Sequence, residues 1–141
     1  MQYEPTFFGC DGLDGILGVD GFDKSFAEGV MLLTPFAADD MAQSTQDFVA
    51  KYKEAYGETP SQFAADAYDA VYTVKAAAEA AKITGDMSAS DICDALMEQM
   101  KTIEVDAITS KEGVPMKWDE NGMVDKAPKA VIITDGAYKA M

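Results

Sequence analysis

The chain has 141 residues, 48% hydrophobic and 26% charged, the make-up of one soluble globular domain or a piece of a larger protein. Its 25 acidic and 11 basic residues give a net charge of −14. Such a surface repels phosphate backbones and anionic membranes, which argues against nucleic acid as a partner. Histidine is absent, and with it the commonest general base and the commonest metal ligand.

Phe7 and Phe8 predict a strand close to the start of the chain, and Gly9, Gly12 and Gly15 let it turn sharply afterwards. Asp11 lies in that turn. Asp-Gly is ordinary turn chemistry, found again at Asp14-Gly15, Asp20-Gly21 and Asp135-Gly136. The same position is also where an α/β sheet opens onto a ligand cleft, and this stretch alone leaves both readings open. Leu13 to Phe26, an apolar-acidic mix cut by glycines, reads as a short imperfect helix followed by a loop. The compact run from Val30 to Leu33, bordered by Gly29 and Pro35, reads as a buried strand.

Three helices are expected next. The first has an acidic start at Asp39 and Asp40, a face of Phe48, Val49, Tyr52 and Tyr56, and a stop at Gly57. The second takes Thr59 as its cap and Pro60 as its first helical residue. Phe63, Ala67, Val71 and Val74 form its core stripe, which Ala64, Tyr68 and Tyr72 widen. The third opens on Ser88 and Asp91, a capping-box spacing, and buries Ile92, Ala95, Leu96 and Met100. From residue 103 the pattern becomes β, with a hairpin at Asn121-Gly122 between Met116, Trp118 and Met123, then an apolar strand and the Asp135-Gly136 turn. The order β-α-β-α-α-α-β-β-β places the chain in the α/β class. It holds only one βαβ crossover, too few for a self-contained doubly wound domain, so it reads as part of something larger.

Catalytic signatures are missing. No serine sits in G-x-S-x-G, neither cysteine has a histidine base, and no phosphate-binding glycine loop follows the first strand. The acidic stretch from Asp11 to Glu28 fails the calcium-loop register, because Ile16 stands where a second ligand is required after Asp14. Cys10 and Cys93 read as two buried free thiols or as one disulfide. No apolar run approaches the ~20 residues that span a bilayer. No signal-peptide pattern opens the chain, so the sequence reads either as cytoplasmic or as lacking an upstream leader.

The segments "PTFFGCDG", "EGVMLLTPFAADD", "FVAKYKEAYGETPSQFAADAYDAVY" and "MKWDENGMVDKAPKAVIITDG" occur in that order. Together they resemble the C-terminal part of the branched-chain amino-acid-binding receptors, the type I solute-binding proteins of ABC importers. The resemblance implies a two-lobed α/β fold. Residues 1–34 would belong to the second lobe, 35–128 to the first, and 129–141 would cross back, the whole chain being a C-terminal fragment.

It also implies a ligand-binding role for Asp11, as the carboxylate facing the ligand ammonium, and for Gly12, which lets the backbone come close. Family receptors often carry Glu at the place of Asp11, whose shorter side chain leaves the ligand open. Phe63 matches a position whose ring lines the ligand pocket, against the alternative of plain core. The groups that clamp the ligand carboxylate belong to the part of the family fold outside these segments. The implied partners are an amino acid or similar small solute and an ABC permease, with self-association of the fragment. No enzyme activity, cofactor or metal is implied. The implied location is extracellular, periplasmic or lipid-anchored at the cell surface. A sensory receptor of the same architecture, or a cytoplasmic α/β enzyme, are the competing readings.

Overall fold

The computed structural model describes residues 4–111 and 113–141; Met1 to Tyr3, where the sequence-based reading begins, lie outside them. The chain divides into two compact units, Met1–Ala65 with Pro128–Met141, and Asp66–Ala127.

The first unit holds one four-stranded sheet: β1 (Phe8–Gly9), β2 (Met31–Thr34), β3 (Lys129–Thr134) and β4 (Ala137–Ala140), in spatial order β1-β2-β3-β4. β1 runs parallel to β2, while β2–β3 and β3–β4 are antiparallel. Leu32, Val131 and Ile133 are buried with Ala27 and Ala37, and Leu13, Ile16, Leu17, Phe22 and Tyr138 pack against them. β2 is covered on one face only. Leu32 and Thr34 point inward while Leu33 is exposed, so the apolar run alternates rather than being buried throughout. The β3–β4 hairpin turns at Asp135 and Gly136, both with positive φ (53° and 68°), as the Asp-Gly pair predicts.

Leu13 to Phe26 is not a helix. It forms short 3-10 turns, at Ile16–Gly18 and Lys24–Ala27, after a first one at Asp11–Leu13. Gly15 and Gly21 adopt φ of 91° and 75°, which breaks any α-helical run before it can nucleate.

Helix α1 (Gln43–Tyr56) starts after the acidic pair expected at its head. Asp40 instead accepts the N–H of Ala42 at 2.9 Å and pairs with Lys129 of β3, and these two partners hold its carboxyl below the usual range. Phe48 and Val49 are buried, Phe36 meets Phe48 edge-on at 5.9 Å, and Tyr56 is exposed but stacks on Tyr52 at 4.6 Å. Gly57 ends the helix in the left-handed conformation, as expected.

Helix α2 (Gln62–Ala80) begins in the first unit and continues into the second. Thr59 and Pro60 precede it rather than opening it. Ser61 stands at the cap, its carbonyl accepting from Ala65 N–H, and the Asp14 carboxylate takes the Gln62 N–H that a Thr59 cap would have served. The expected core stripe is turned outward: Phe63, Val71 and Val74 are 52%, 68% and 55% exposed, and Tyr68 and Tyr72 are also exposed. The buried face is Gln62, Ala65, Asp69, Thr73 and Ala77. Periodicity marks two faces of a helix, and here small residues and polar ones, of which Gln62 and Asp69 are hydrogen-bonded, occupy the covered one.

In the second unit, helix α3 (Ala89–Met100) opens on Ser88, whose hydroxyl oxygen accepts Asp91 N–H, which bears out the capping box. Ile92, Ala95, Leu96 and Met100 are half-buried rather than core. Among the described residues, 103–127 supply isolated bridges instead of strands, Val105–Met116 and Trp118–Val124. Asp119 closes the Asn121-Gly122 turn by accepting the N–H groups of Asn121 and Met123 at 2.8 Å. Asp69 is buried and accepts Ile108 N–H (2.8 Å), Thr109 N–H (2.8 Å) and the Thr109 hydroxyl (2.7 Å), which ties the 107–110 segment to α2. Cys10 and Cys93 are free and exposed rather than buried.

Candidate functional site

The loop after β1 is built by local hydrogen bonds. Leu13 N–H donates to Cys10 O at 2.9 Å and Asp14 N–H to Asp11 O at 3.0 Å, which closes the Asp11–Leu13 turn. At Gly9 a Cβ would stand 2.4 Å from Leu13 Cδ1, so a larger residue there would push the Leu13 side chain aside. At Gly12 nothing lies within 4 Å of where a Cβ would be, so a side chain there would meet open space. Asp11 and Gly12 are both exposed.

This loop is fastened to the start of α2. Asp14 Oδ2 accepts Gln62 N–H at 2.7 Å, and the Gln62 side-chain amide donates to Asp11 O at 3.3 Å. The other end of that amide, Oε1, accepts the Thr34 hydroxyl at 2.6 Å, and Thr34 Oγ1 in turn accepts Phe36 N–H. Gln62 and Thr34 are buried, 1% and 4% exposed. The end of β2, the Asp11 loop and the first turn of α2 thus meet at one residue. Phe63 follows it directly and is half exposed at the head of the helix. The geometry therefore places the elements carrying Asp11, Gly12 and Phe63 side by side, with all three residues accessible.

The far side of the loop is held by Tyr138 of β4, whose hydroxyl accepts Gly15 N–H at 2.9 Å and donates to Leu13 O at 3.3 Å. Burial pushes the Tyr138 hydroxyl above its ordinary pKa. Burial likewise raises the Asp14 carboxyl; the Gln62 and Gly15 N–H groups oppose the shift and the neighbouring Asp11 charge adds to it. Asp11 and Asp14 thus place two carboxyl groups three residues apart in one loop. Behind the loop lies a cavity of about 550 Å³, lined by Asp14, Thr34, Tyr52, Ser61 and Tyr138 among others. Asp11, Gly12 and Phe63 do not line it.

Asp14, Gln62, Thr34 and Tyr138 were not singled out from the sequence. Gln62 sits beside a polar-capped proline turn, a place where a buried amide gives no pattern of its own. Among the described residues no group of three or more Asp, Glu, Cys or His side chains could hold a metal ion, and no helix is long and apolar enough to cross a membrane.

The model of the periplasmic binding protein family matches residues 15–126, and the chain belongs to that family. Among solved structures it is similar to the branched-chain amino acid substrate-binding protein LivJ of Streptococcus pneumoniae, in complex with isoleucine. That match has 25% identity and a TM-score of 0.75, and covers 97% of this chain and 36% of that one. The leucine-binding protein LivK of Thermotoga maritima matches at 26% identity and a TM-score of 0.68, over 95% of this chain and 35% of that one. A solute-binding protein of R. palustris in complex with benzoate, 18% identical with a TM-score of 0.70, covers 91% of this chain and 32% of its own, and shares the fold. No curated protein sequence is significantly similar. The resemblance and the α/β class read from the sequence are borne out, and the chain spans about a third of the length of these structures.

Proposed function

We propose that this chain is the C-terminal part of a two-lobed extracellular receptor that captures an amino acid and delivers it to an ABC permease. The observation that carries the reading is the junction at Gln62, which sets the exposed Asp11 loop beside the head of α2 and Phe63. In this reading Asp11 receives the ligand ammonium, Gly12 lets the backbone approach, and Phe63 faces the ligand side chain. Residues 1–34 and 129–141 belong to the second lobe and 35–128 to the first. The relatives, one bound to isoleucine and one a leucine-binding protein, favour a branched-chain amino acid. Membership in a family of solute-binding proteins supports binding rather than catalysis, and export rather than a cytoplasmic site of action.

Calorimetry with L-leucine and L-isoleucine on the receptor that contains this chain tests the reading. Asp11→Ala should weaken binding by about 2–5 kcal/mol, the range for truncating one member of a buried charged pair, with the fold intact; an unchanged affinity refutes the ammonium contact. The 141-residue chain by itself should show no micromolar binding, because a zwitterion needs both charges paired. It should also self-associate through exposed apolar residues such as Phe7, Phe8, Val71 and Val74. Light scattering that gives a monomer, together with tight binding by the isolated chain, overturns both expectations.

A further inference from the structure

Gln62 is the most connected buried polar residue of the site, and its chemistry is selective. The carbonyl oxygen of Asp11 can only accept, so the end of the Gln62 amide facing it, at 3.3 Å, is the NH₂ group. That leaves Oε1 toward Thr34, whose hydroxyl lies at 2.6 Å, closer than its alternative acceptor Phe36 O at 3.1 Å. The backbone N–H of the same residue is held by Asp14 at 2.7 Å. One amide thus needs a donor at one end and an acceptor at the other. Glutamate at this position has no donor for Asp11 O and would set a second charge against Asp14. Methionine fills the space and offers neither bond.

We propose that Gln62 is the positioning residue of the amino-acid site, an inference that rests on the binding role given to Asp11. Its side chain grips the backbone of Asp11 itself, and its own N–H, one residue before Phe63, is held by Asp14, so the Asp11 loop is fastened to the head of α2 before the ligand arrives. Preorganisation of this kind lowers the ordering cost of binding. The 3-10 turn of the loop has no other side-chain tie to α2 than those of Gln62 and Asp14 among the described hydrogen bonds.

The test is a double-mutant cycle on the receptor containing this chain, with L-leucine as the probe. Gln62→Met should weaken leucine at least tenfold when Asp11 is present, and Gln62→Glu should do the same. In an Asp11→Asn background Gln62→Met should cost less than twofold, because the group it positions is already disabled. A factor that is the same in both backgrounds means a merely structural role and overturns the proposal. Thr34→Val, which removes one partner and keeps Gln62, is the milder variant if Gln62→Met fails to fold, and should weaken leucine by about threefold; no change overturns the proposal. Amide hydrogen exchange without ligand gives the independent readout. The Asp14 and Gln62 amides should exchange at least tenfold faster in Gln62→Met, and unchanged protection removes the latch. If Asp11→Asn alone leaves leucine affinity intact, the binding role of Asp11 fails, while the latch stands or falls on the exchange rates.

Discussion

Replacing Asp69 by alanine should strongly destabilise the second unit. Asp69 is 3% exposed and accepts from Ile108 N–H, Thr109 N–H and the Thr109 hydroxyl, all within 2.8 Å. Hydrogen bonds to a charged acceptor contribute about 1.5–3 kcal/mol each, but burying the carboxylate offsets part of the total. Truncation removes the acceptor and leaves two backbone N–H groups and a hydroxyl buried without partners, which costs about 1–3 kcal/mol per group less what entering water restores. A net loss of about 3–5 kcal/mol is expected. At about 0.05–0.15 kcal/mol per residue, a unit of roughly sixty residues is stable by only about 3–9 kcal/mol, so the loss is a large share of the whole. The assay is built in. Trp118 is the single tryptophan and lies in this unit, so its fluorescence in a urea titration reports on Asp66–Ala127 alone. With m near about 1 kcal/mol/M the midpoint should fall by several molar or vanish. Thr109→Val, which removes one donor and leaves the carboxylate paired with two N–H groups, should cost only about 1 kcal/mol. A midpoint shift for Asp69→Ala no larger than that of Thr109→Val refutes the reasoning.

Thr73→Val should stabilise the same unit by roughly 1 kcal/mol, because the Thr73 hydroxyl is buried without a hydrogen-bond partner and valine keeps its shape; a lower urea midpoint contradicts this. Asp14→Asn should be neutral to stabilising at pH 7. The folded-state pKa of Asp14 is raised, so its contribution is favourable below the unfolded value of 3.8 and is lost as pH rises through the folded value. The advantage of the asparagine variant over the parent should therefore shrink as a melting series runs from pH 7 toward pH 3.5, and a variant less stable at pH 7 than at acid pH, relative to the parent, is the opposite of what is expected. Phe63→Ala should change the order of affinities among leucine, isoleucine and valine while lowering the melting temperature little, since the ring is half exposed. A large stability loss with an unchanged ligand order returns Phe63 to the core.

What the sequence reveals here is what is local. Gly57 needs only its own positive φ to end α1, Ser88 reaches Asp91 within one turn, and Asn121-Gly122 and Asp135-Gly136 close their turns among neighbours. The site is different, because its ties are long-range. Asp14 meets Gln62 across 48 residues, Thr34 meets Gln62 across 28, and Tyr138 meets Leu13 across 125. Nothing in a single chain pairs such residues, so the loop could be recognised by resemblance while the residues that hold it could not. The helix phase was lost for a related reason. Bulky side chains on α2 read as core in the sequence because size stands in for burial when no partner is visible.

The inverted helix also bears on what the chain is. Folding alone gains most by burying Phe63, Tyr68, Val71, Tyr72 and Val74, yet α2 turns Gln62, Asp69 and Thr73 inward instead. Gln62 and Asp69 recover the cost of burial through hydrogen bonds that fix the Asp11 loop and the 107–110 segment, so the polar face has its own reason to be covered. The apolar face has no such reason to be exposed to water. Side chains of that size at helical spacing suit a face that packs on further structure, and the solved relatives contain about twice as much additional chain as this one spans. The pattern supports the proposal that this chain works as one part of a longer receptor. That proposal gives the apolar face of α2 further structure to pack on, with Phe63 at the head of the helix.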